Sequence, residues 1–423
     1  MINQVKIDDI YEVKIESLEN EGSGVTKING MIVFIPKTLV GEKVKIRIVE
    51  IKKNYARGKV IEILEKSKDR KEQSCPYYEE CGGCNLRHQC SSKNLIFKKE
   101  KVKNAVKRIG KLDVEVDDII PSYKNDNYRN KASFKVENSR IGFYGEGTYQ
   151  LIDIKYCLLM EEEINNALKI IRQYLSVNNN EIKTITIRHG NAMNEILIDI
   201  YSIDEEDVKI SNYLIDNISN LKTLIFNDKI IYGDGYINQI TNGLMFKCSS
   251  KSFFQVNSIQ VEKLYDTAIK LAELKSDYTV LDLYCGTGTI TSIISKYVKK
   301  VIGIEIVSSA VEDANFNLSI NNISNVSFIC GDATKKISKI KEKIDVIFTD
   351  PPRSGIDRKA ISIIKKILPK KIIYISCNPV TLARDLSYLN DLYEVNKIVP
   401  VDMFPNTSHV ECVSLLHLKS LEK

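Results

Sequence analysis

From residue 279 onward the chain alternates short apolar runs with amphipathic stretches. "TVLDLY", "KVIGIEI", "VSFICG", "IDVIFTD" and "KIIYISC" are β-rich runs bounded by turn residues, so each reads as a strand. A helix-period segment, "SIQVEKLYDTAIKLAEL", precedes them. Strand–helix alternation predicts a parallel, doubly wound, Rossmann-like sheet. "YEVNKIVPVD" and "VECVSLLHL" predict two last strands at an antiparallel edge. The first 64 residues have another rhythm. "VKIESL", "MIVFIP", "EKVKIRIVEIKK" and "YARGKVIEIL" alternate with turn signals such as "NEGSG" and "NG". About five short strands in roughly 60 residues predict a small OB-like β-barrel. Between the two lie a polar linker, "EKSKDRKEQS", and a basic amphipathic helix over 93–109 with Ile96, Val102, Ala105, Val106 and Ile109 on its apolar face. Residues 112–235 read as mixed α+β, with strands "KASFKVE", "RIGFYG" and "EILIDIY". The fold class expected is multidomain α/β: a barrel over 1–65, a central α+β domain over 66–240 and a Rossmann-like domain over 241–423.

Composition narrows this little. Of 423 residues, 43% are hydrophobic and 27% charged, which excludes an intrinsically disordered chain. Charge is more informative. Residues 1–111 hold 24 Lys and Arg against 15 Asp and Glu, and the remainder holds 37 against 40. The positive excess therefore sits where a polyanion would dock. Lys52, Lys53, Tyr55, Arg57 and Lys59 mix cations with an aromatic, which suits phosphate contact and base stacking, although an ordinary charged hairpin has the same composition. No window approaches the roughly 18 apolar residues of a membrane span. The first twenty residues have no apolar signal core, so a cytoplasmic location without a membrane partner is expected. Ten cysteines in such a chain point to metal or catalytic roles rather than disulfides.

In open parallel sheets, ligands bind beyond the carboxyl ends of the strands. Five successive strand ends carry polar or glycine-rich signals: "DLYCGTGT", Glu305, Asp332, "DPPRSG" and "SCNP". Gly286 and Gly288 let backbone approach a ligand closely. The third glycine of a dinucleotide fingerprint is replaced by Thr291, which disfavours a pyrophosphate. Glu305, about 20 residues on, suits ribose hydroxyls. Gly-x-Gly alone is equally a plain tight turn, but with Glu305 and Asp332 so spaced a nucleoside ligand lacking pyrophosphate is the leading reading, and S-adenosylmethionine fits. Asp350-Pro351-Pro352 makes a rigid turn able to aim a carboxylate at a planar base. The next residue is Arg353, not the aromatic that amino-directed methyltransferases use to stack on their target. Cys377 is open to three readings: an inert buried thiol, a metal ligand or a nucleophile. Pro379 ends its strand, so the thiol sits at the binding edge. A methyl transfer to carbon 5 of uracil needs a nucleophile, because that carbon becomes reactive only after a thiolate adds to carbon 6. A base must then remove the carbon 5 proton; "SHVECV" offers Glu411, beside His409.

Residues 250–415 resemble the catalytic half of the RNA uracil-5-methyltransferases: "FFQVN", "LDLYCGTGT", "DPPRSG", "SCNP-T" and "HVE" occur in that family's order and spacing. The resemblance implies Cys377 as nucleophile and Glu411 as general base. It also implies cofactor contacts from Gln255, Tyr284, Thr289, Glu305, Asp332 and Asp350, with Asp350 and Gln255 also reaching the target uracil. The N-terminal barrel resembles the TRAM domain, an RNA-binding module, with "NEGSGV" matching its glycine turn.

"CPYYEECGGCNLRHQC" places Cys75, Cys81, Cys84 and Cys90 close together. The spacing alone is compatible with zinc, an iron–sulfur cluster or no metal. Resemblance to the 23S ribosomal RNA branch of the family implies a [4Fe–4S] cluster on Cys75, Cys81, Cys84 and the distant Cys157 of "IKYCLLMEEEIN". Cys90 is then a spare, or the fourth ligand in place of Cys157, and His88 is structural. The cluster is expected to be structural or RNA-contacting. The tRNA-specific branch lacks barrel and cysteines, so their presence here points to 23S rRNA as partner, bound by a monomer. The barrel, the helix at 93–109 and "YRNK" at 128–131 would hold the RNA backbone. The other readings are tRNA T-loop uracil methylation and a non-catalytic RNA-binding protein. A DNA amino-methyltransferase is disfavoured by Arg353 and Cys377.

Overall fold

The computed structural model describes residues 5–178, 181–203 and 208–420. Its N-terminal sheet has six strands in the order Ile10–Lys14, Lys43–Ile51, Tyr55–Glu65, Met31–Ile35, Gly24–Ile28, Ser17–Leu18. The first two strands, consecutive in the chain, supply the two edges. Ile15 N–H donates to the Glu42 carbonyl, and Glu16 N–H to that of Val25, both at 2.9 Å. One continuous segment thus passes from one edge to the other and closes the sheet, removing its free edges. Val33, Ile35, Val44, Ile46, Ile48 and Ala56 fill the interior at alternate positions.

A seven-stranded sheet follows, in the order Lys229–Gly233, Leu221–Phe226, Glu195–Ser202, Ile182–Gly190, Lys131–Glu137, Arg140–Tyr144, Leu151–Asp153. The helices Glu162–Val177 and Val208–Asn217 cover it through Ile164, Leu168, Ile171, Ile210 and Leu214. A hairpin, Tyr236–Thr241 with Leu244–Ser249, leads on to the helix Ser258–Ala272.

The last sheet also has seven strands: Val326–Cys330, Lys300–Glu305, Thr279–Leu283, Val346–Thr349, Lys371–Ser376, Glu411–Leu418, Tyr393–Val401. The first five are parallel and the last two antiparallel. The order differs from sequence order. Glu411–Leu418 is inserted between Lys371–Ser376 and Tyr393–Val401, so the final strand is internal, which suits its unbroken burial from Glu411 to Leu416. It also carries Glu411 to the neighbourhood of Cys377.

The basic helix, observed at Ser91–Arg108, departs from the expected division of the chain. Its Val102 and Val106, with Leu112 and Val116, belong to the core of the last sheet. Val116 and Ile120 bridge to Ile398 and Val401 on the edge strand. An amphipathic stripe states that a helix face is buried but not against what. Here Val102 and Val106 are buried on the C-terminal unit, whereas Ile96 and Ile109, expected on the same face, are exposed, and residues 91–120 pack with that unit rather than with the central sheet.

Candidate active site

The parallel strands end at one rim. Thr279–Leu283 is followed by Tyr284, whose φ of 64° is a left-handed conformation uncommon for a bulky residue. That turn starts the loop 285–288. Gly288, at φ 73°, packs so tightly that a Cβ there would meet Phe328 Cζ at 2.5 Å, so glycine is required. Gly286 N–H donates to Glu305 Oε2 (3.0 Å), and Ile306 and Val307 N–H donate to Oε1 (2.8 and 2.9 Å). Three backbone donors thus hold the Glu305 carboxylate at its strand end, with about one of its four acceptor sites, on Oε2, left for a ligand.

The Pro-Pro turn after Val346–Thr349 is tied to the segment that carries the thiol. Asn378 Nδ2 and Thr381 Oγ1 both donate to the Arg353 carbonyl at 3.1 Å, and Arg384 donates to that of Ser354 at 2.8 Å. Buried Asp385 accepts from Ile356 N–H and Tyr374 Oη, both at 2.7 Å. Asn378 also caps the helix Pro379–Leu389 by accepting from Val380 N–H (3.0 Å), with Pro379 in the first turn where no N–H is needed. The sequence "SCNP" therefore encodes an abrupt strand end with Cys377 exactly one residue past the ladder's last pair, Ser376 with Cys412.

A cavity of about 630 Å³, within the roughly 300–1,000 Å³ of small-molecule sites, is lined by Gln255, Tyr284, Thr289, Glu305, Asp350, Cys377 and Glu411. Asp332 does not line it. Its carboxylate caps a short helix, accepting from Thr334 N–H (2.8 Å) and Oγ1 (2.7 Å), and these bonds hold its pKa down. Sequence reasoning missed Asp282, Phe253, Phe254 and Phe404, which also line the cavity, and it noted Arg353 only for the aromatic it displaces. Asp282, a charged residue inside the apolar run "TVLDLY", was the available signal. It accepts from Thr291 Oγ1 at 2.5 Å, and burial pushes it up to about 7.

The electrostatics distinguish the remaining groups. Glu411 is 3% exposed, and burial, then the charge of Asp350, push it up to about 8; Arg353 opposes them. Burial alone pushes Asp350 up to about 7. Cys377 is raised to about 11 by burial, then by Glu411 and Asp350, again against Arg353. Burial lowers His409. A thiol, three carboxyls that hold their protons near neutrality and a guanidinium thus share one cavity beside a glycine-rich turn. Such a set suits nucleophilic addition followed by proton abstraction.

The tRNA (uracil-5-)-methyltransferase family model matches residues 91–419, and the TRAM domain model matches 4–61.

The chain belongs to the tRNA (uracil-5-)-methyltransferase family.

Two relatives described as uncharacterized RNA methyltransferases agree. The one from Clostridium tetani is 36% identical over 97% of this chain and 97% of its own. The one from Caldanaerobacter subterraneus is 39% identical over 98% of this chain and 99% of its own. The Pyrococcus abyssi tRNA (uracil-54, C5)-methyltransferase, solved with S-adenosyl-L-homocysteine, is 25% identical, with a TM-score of 0.78 over 96% of this chain and 100% of that one. The part it leaves uncovered is shorter than the barrel. A barrel in this uracil-5-methyltransferase family therefore does not by itself mark a ribosomal substrate.

A second cavity, of about 510 Å³, is lined by Cys75, Cys81, Cys84 and Cys157, with Arg87, Arg129 and Lys131. Cys90 is not part of its lining; it precedes the helix Ser91–Arg108, its Sγ 3.5 Å from Ser92 Oγ. His88 is buried, its Nδ1 2.5 Å from Tyr78 Oη, and burial lowers its pKa to about 4, so it is a neutral core residue. Burial raises Cys81 and Cys157, and pushes Cys84 to about 12. Four thiols in one cavity are a donor set that a soft metal centre would ionise.

The basic elements are less free than expected. Lys52 and Arg57 both pair with Glu50 (2.7 and 3.4 Å), and Tyr55 packs edge-on to Phe34. In "YRNK", Tyr128 and Asn130 are buried; Tyr128 Oη donates to the Pro405 carbonyl (3.1 Å) and Asn130 Nδ2 to that of Gln255 (3.2 Å). These two residues join the central sheet to the catalytic rim. Among the described residues no helix is long and apolar enough to cross a membrane.

Proposed function

We propose that this protein methylates carbon 5 of a uridine in 23S ribosomal RNA, with S-adenosylmethionine as methyl donor. The observation that carries the reading is the meeting of Cys377 and Glu411 at one end of the ladder between Lys371–Ser376 and Glu411–Leu418, in the cavity that also holds the glycine turn and Glu305. Gln255, Tyr284, Thr289, Glu305 and Asp350 bind the donor, with Glu305 on its ribose hydroxyls; Asp350 and Gln255 also reach the uracil. Asp332 shapes its strand end by capping.

The target base is extruded from its strand to reach the thiol. The Cys377 thiolate adds to carbon 6, and the C5–C6 π electrons move onto the C4 carbonyl as an enolate. Carbon 5 then takes the methyl group, as the donor's S–CH₃ bond breaks and S-adenosylhomocysteine leaves. Glu411 removes the carbon 5 proton. That electron pair restores the C5–C6 double bond and expels the Cys377 thiolate, and the proton passes on to solvent.

We further propose that Cys75, Cys81, Cys84 and Cys157 hold a [4Fe–4S] cluster. Its ligation would cross-link residues 75–84 to Cys157, and methyl transfer needs no electron from it. Purified protein should contain about four iron and four sulfide per chain on the cluster stoichiometry. The protein acts as a cytoplasmic monomer on RNA, through the positive N-terminal quarter.

The cysteine cavity, through the resemblance to the 23S rRNA branch, supports a ribosomal substrate, and the net positive charge over 1–111 supports an RNA of either class. A second reading, the tRNA T-loop uracil, is favoured by the likeness to the tRNA (uracil-54, C5)-methyltransferase across nearly the whole chain. Mass mapping of 5-methyluridine in RNA from cells lacking the gene decides between them. Loss at a 23S uridine with intact T-loops supports the proposal. Loss confined to T-loops overturns it in favour of tRNA.

A further inference from the structure

Ser408, three residues before Glu411, is fully buried, and its backbone and hydroxyl groups are all engaged. Its N–H donates to Asn85 Oδ1 (2.8 Å). Its hydroxyl donates to Glu21 Oε2 (2.9 Å) and accepts from Asn85 Nδ2 (3.0 Å). Its carbonyl accepts from Lys101 Nζ (3.0 Å). Asn85 Nδ2 also donates to the Glu21 carbonyl (2.6 Å), and the next residue, Leu86, donates its N–H to the Asn406 carbonyl (3.0 Å). Asn85 follows Cys84 directly and lines neither cavity. One side chain therefore fastens the segment 402–410 to the barrel and to the cysteine-rich segment at once.

The Glu411 carboxylate has no comparable support. Burial and the charges of Asp350 and Arg353 act on it, with no hydrogen bond among the influences from the described residues. Its position is set by its backbone, and that backbone emerges from the segment Asn85 holds. We propose that Asn85 is a positioning residue for Glu411, acting through Ser408 to fix where the strand Glu411–Leu418 begins. This rests on the reading of Glu411 as the base that resolves the covalent adduct. It gives the cysteine-rich segment a part in the second half of the reaction, proton removal and release of Cys377, and none in the first.

The test separates the two halves. Rapid-quench denaturing gels with a uridine-containing RNA fragment and S-adenosylmethionine give one rate for adduct formation and one for its release. In Asn85→Ala, release should slow about ten- to a hundred-fold, the loss expected for a misplacement near 1 Å. Formation should stay within about twofold, so the adduct accumulates. In a Glu411→Gln background, Asn85→Ala should slow release no further, because both changes act on one group. If Asn85→Ala does not fold, Ser408→Ala, which keeps the backbone N–H hydrogen bond to Asn85 Oδ1, should give the same selective slowing at smaller size. Equal slowing of both steps, or additive slowing with Glu411→Gln, would overturn the proposal. Unchanged release in Glu411→Gln alone would overturn the base assignment and the proposal with it. Normal slowing in Glu411→Gln beside unchanged release in Asn85→Ala would overturn the positioning alone.

Discussion

Ser376 pairs with Cys412 as the last rung of an antiparallel ladder, so Cys377 and Glu411 follow it side by side, one on each strand. Both hold their protons above neutrality: burial and two carboxylates raise Cys377 to about 11, and burial and Asp350 raise Glu411 to about 8. The thiol must ionise to attack and the carboxyl to accept a proton. Single-turnover methylation should therefore climb from pH 6.5 to pH 9 without a plateau near 7. Arg353 lowers both groups, so Arg353→Gln should move the profile to higher pH.

The same burial makes Glu411 a liability for stability. Its folded pKa lies above the unfolded value of about 4.5, so between about pH 4.5 and 8 the folded state binds more protons than the unfolded state, and stability falls as pH rises. Above pH 8 the penalty is complete. Glu411→Gln removes it and should unfold at higher temperature than wild type at pH 8.5, by an amount equivalent to at most about 5 kcal/mol. The gap should shrink as pH is lowered toward 5. A differential scanning series over that range checks the sign.

Glu305 and Asp332 look alike in the sequence, each an acid at a strand end, yet only Glu305 lines the cavity. Calorimetric titration with S-adenosylhomocysteine should show Glu305→Ala weakening binding by about 10- to 100-fold, from the loss of charged hydrogen bonds worth about 1.5–3 kcal/mol. Asp332→Ala should change affinity by less than about threefold and lower stability only slightly, through its lost cap.

Removal of the proposed cluster should be felt beyond the cysteines. Leu86 and Ser408 donate their amides across the junction between the cysteine-rich segment and the segment before Glu411. After chelation, hydrogen exchange should rise at these two amides and stay unchanged in the barrel strand Lys43–Ile51, whose core is its own.

The strands of the catalytic sheet were legible because each is a compact β-branched run between turn residues; "KIIYISC" became Lys371–Ser376 with Cys377 just past its end. The rim was legible for the same reason, since strand ends announce themselves. Sheet order was not. Nothing local to "VECVSLLHL" states that it lies inside the sheet, and it is that insertion which brings Glu411 to Cys377. The helix Ser91–Arg108 showed its apolar stripe but not its partner, and its Lys98 is buried against Asp402 at 2.5 Å instead of facing an RNA backbone. Asp332 had the right spacing, but Thr334, two residues on, takes its carboxylate, a short-range competition that strand-end counting overlooks. The helices Glu162–Val177 and Val208–Asn217 went unassigned because residues 112–235 mix short strands and helices without a repeating rhythm.

The central claim is a covalent bond from Cys377 to carbon 6 of uracil. The direct measurement is trapping on 5-fluorouridine-substituted RNA with S-adenosylmethionine, using 23S fragments and tRNA in parallel on a denaturing gel. Fluorine cannot leave carbon 5 as a proton would, so the adduct stalls. A shifted band with wild type that is lost in Cys377→Ala is the result expected. No band with either RNA, where S-adenosylmethionine is shown to bind, would contradict the covalent mechanism.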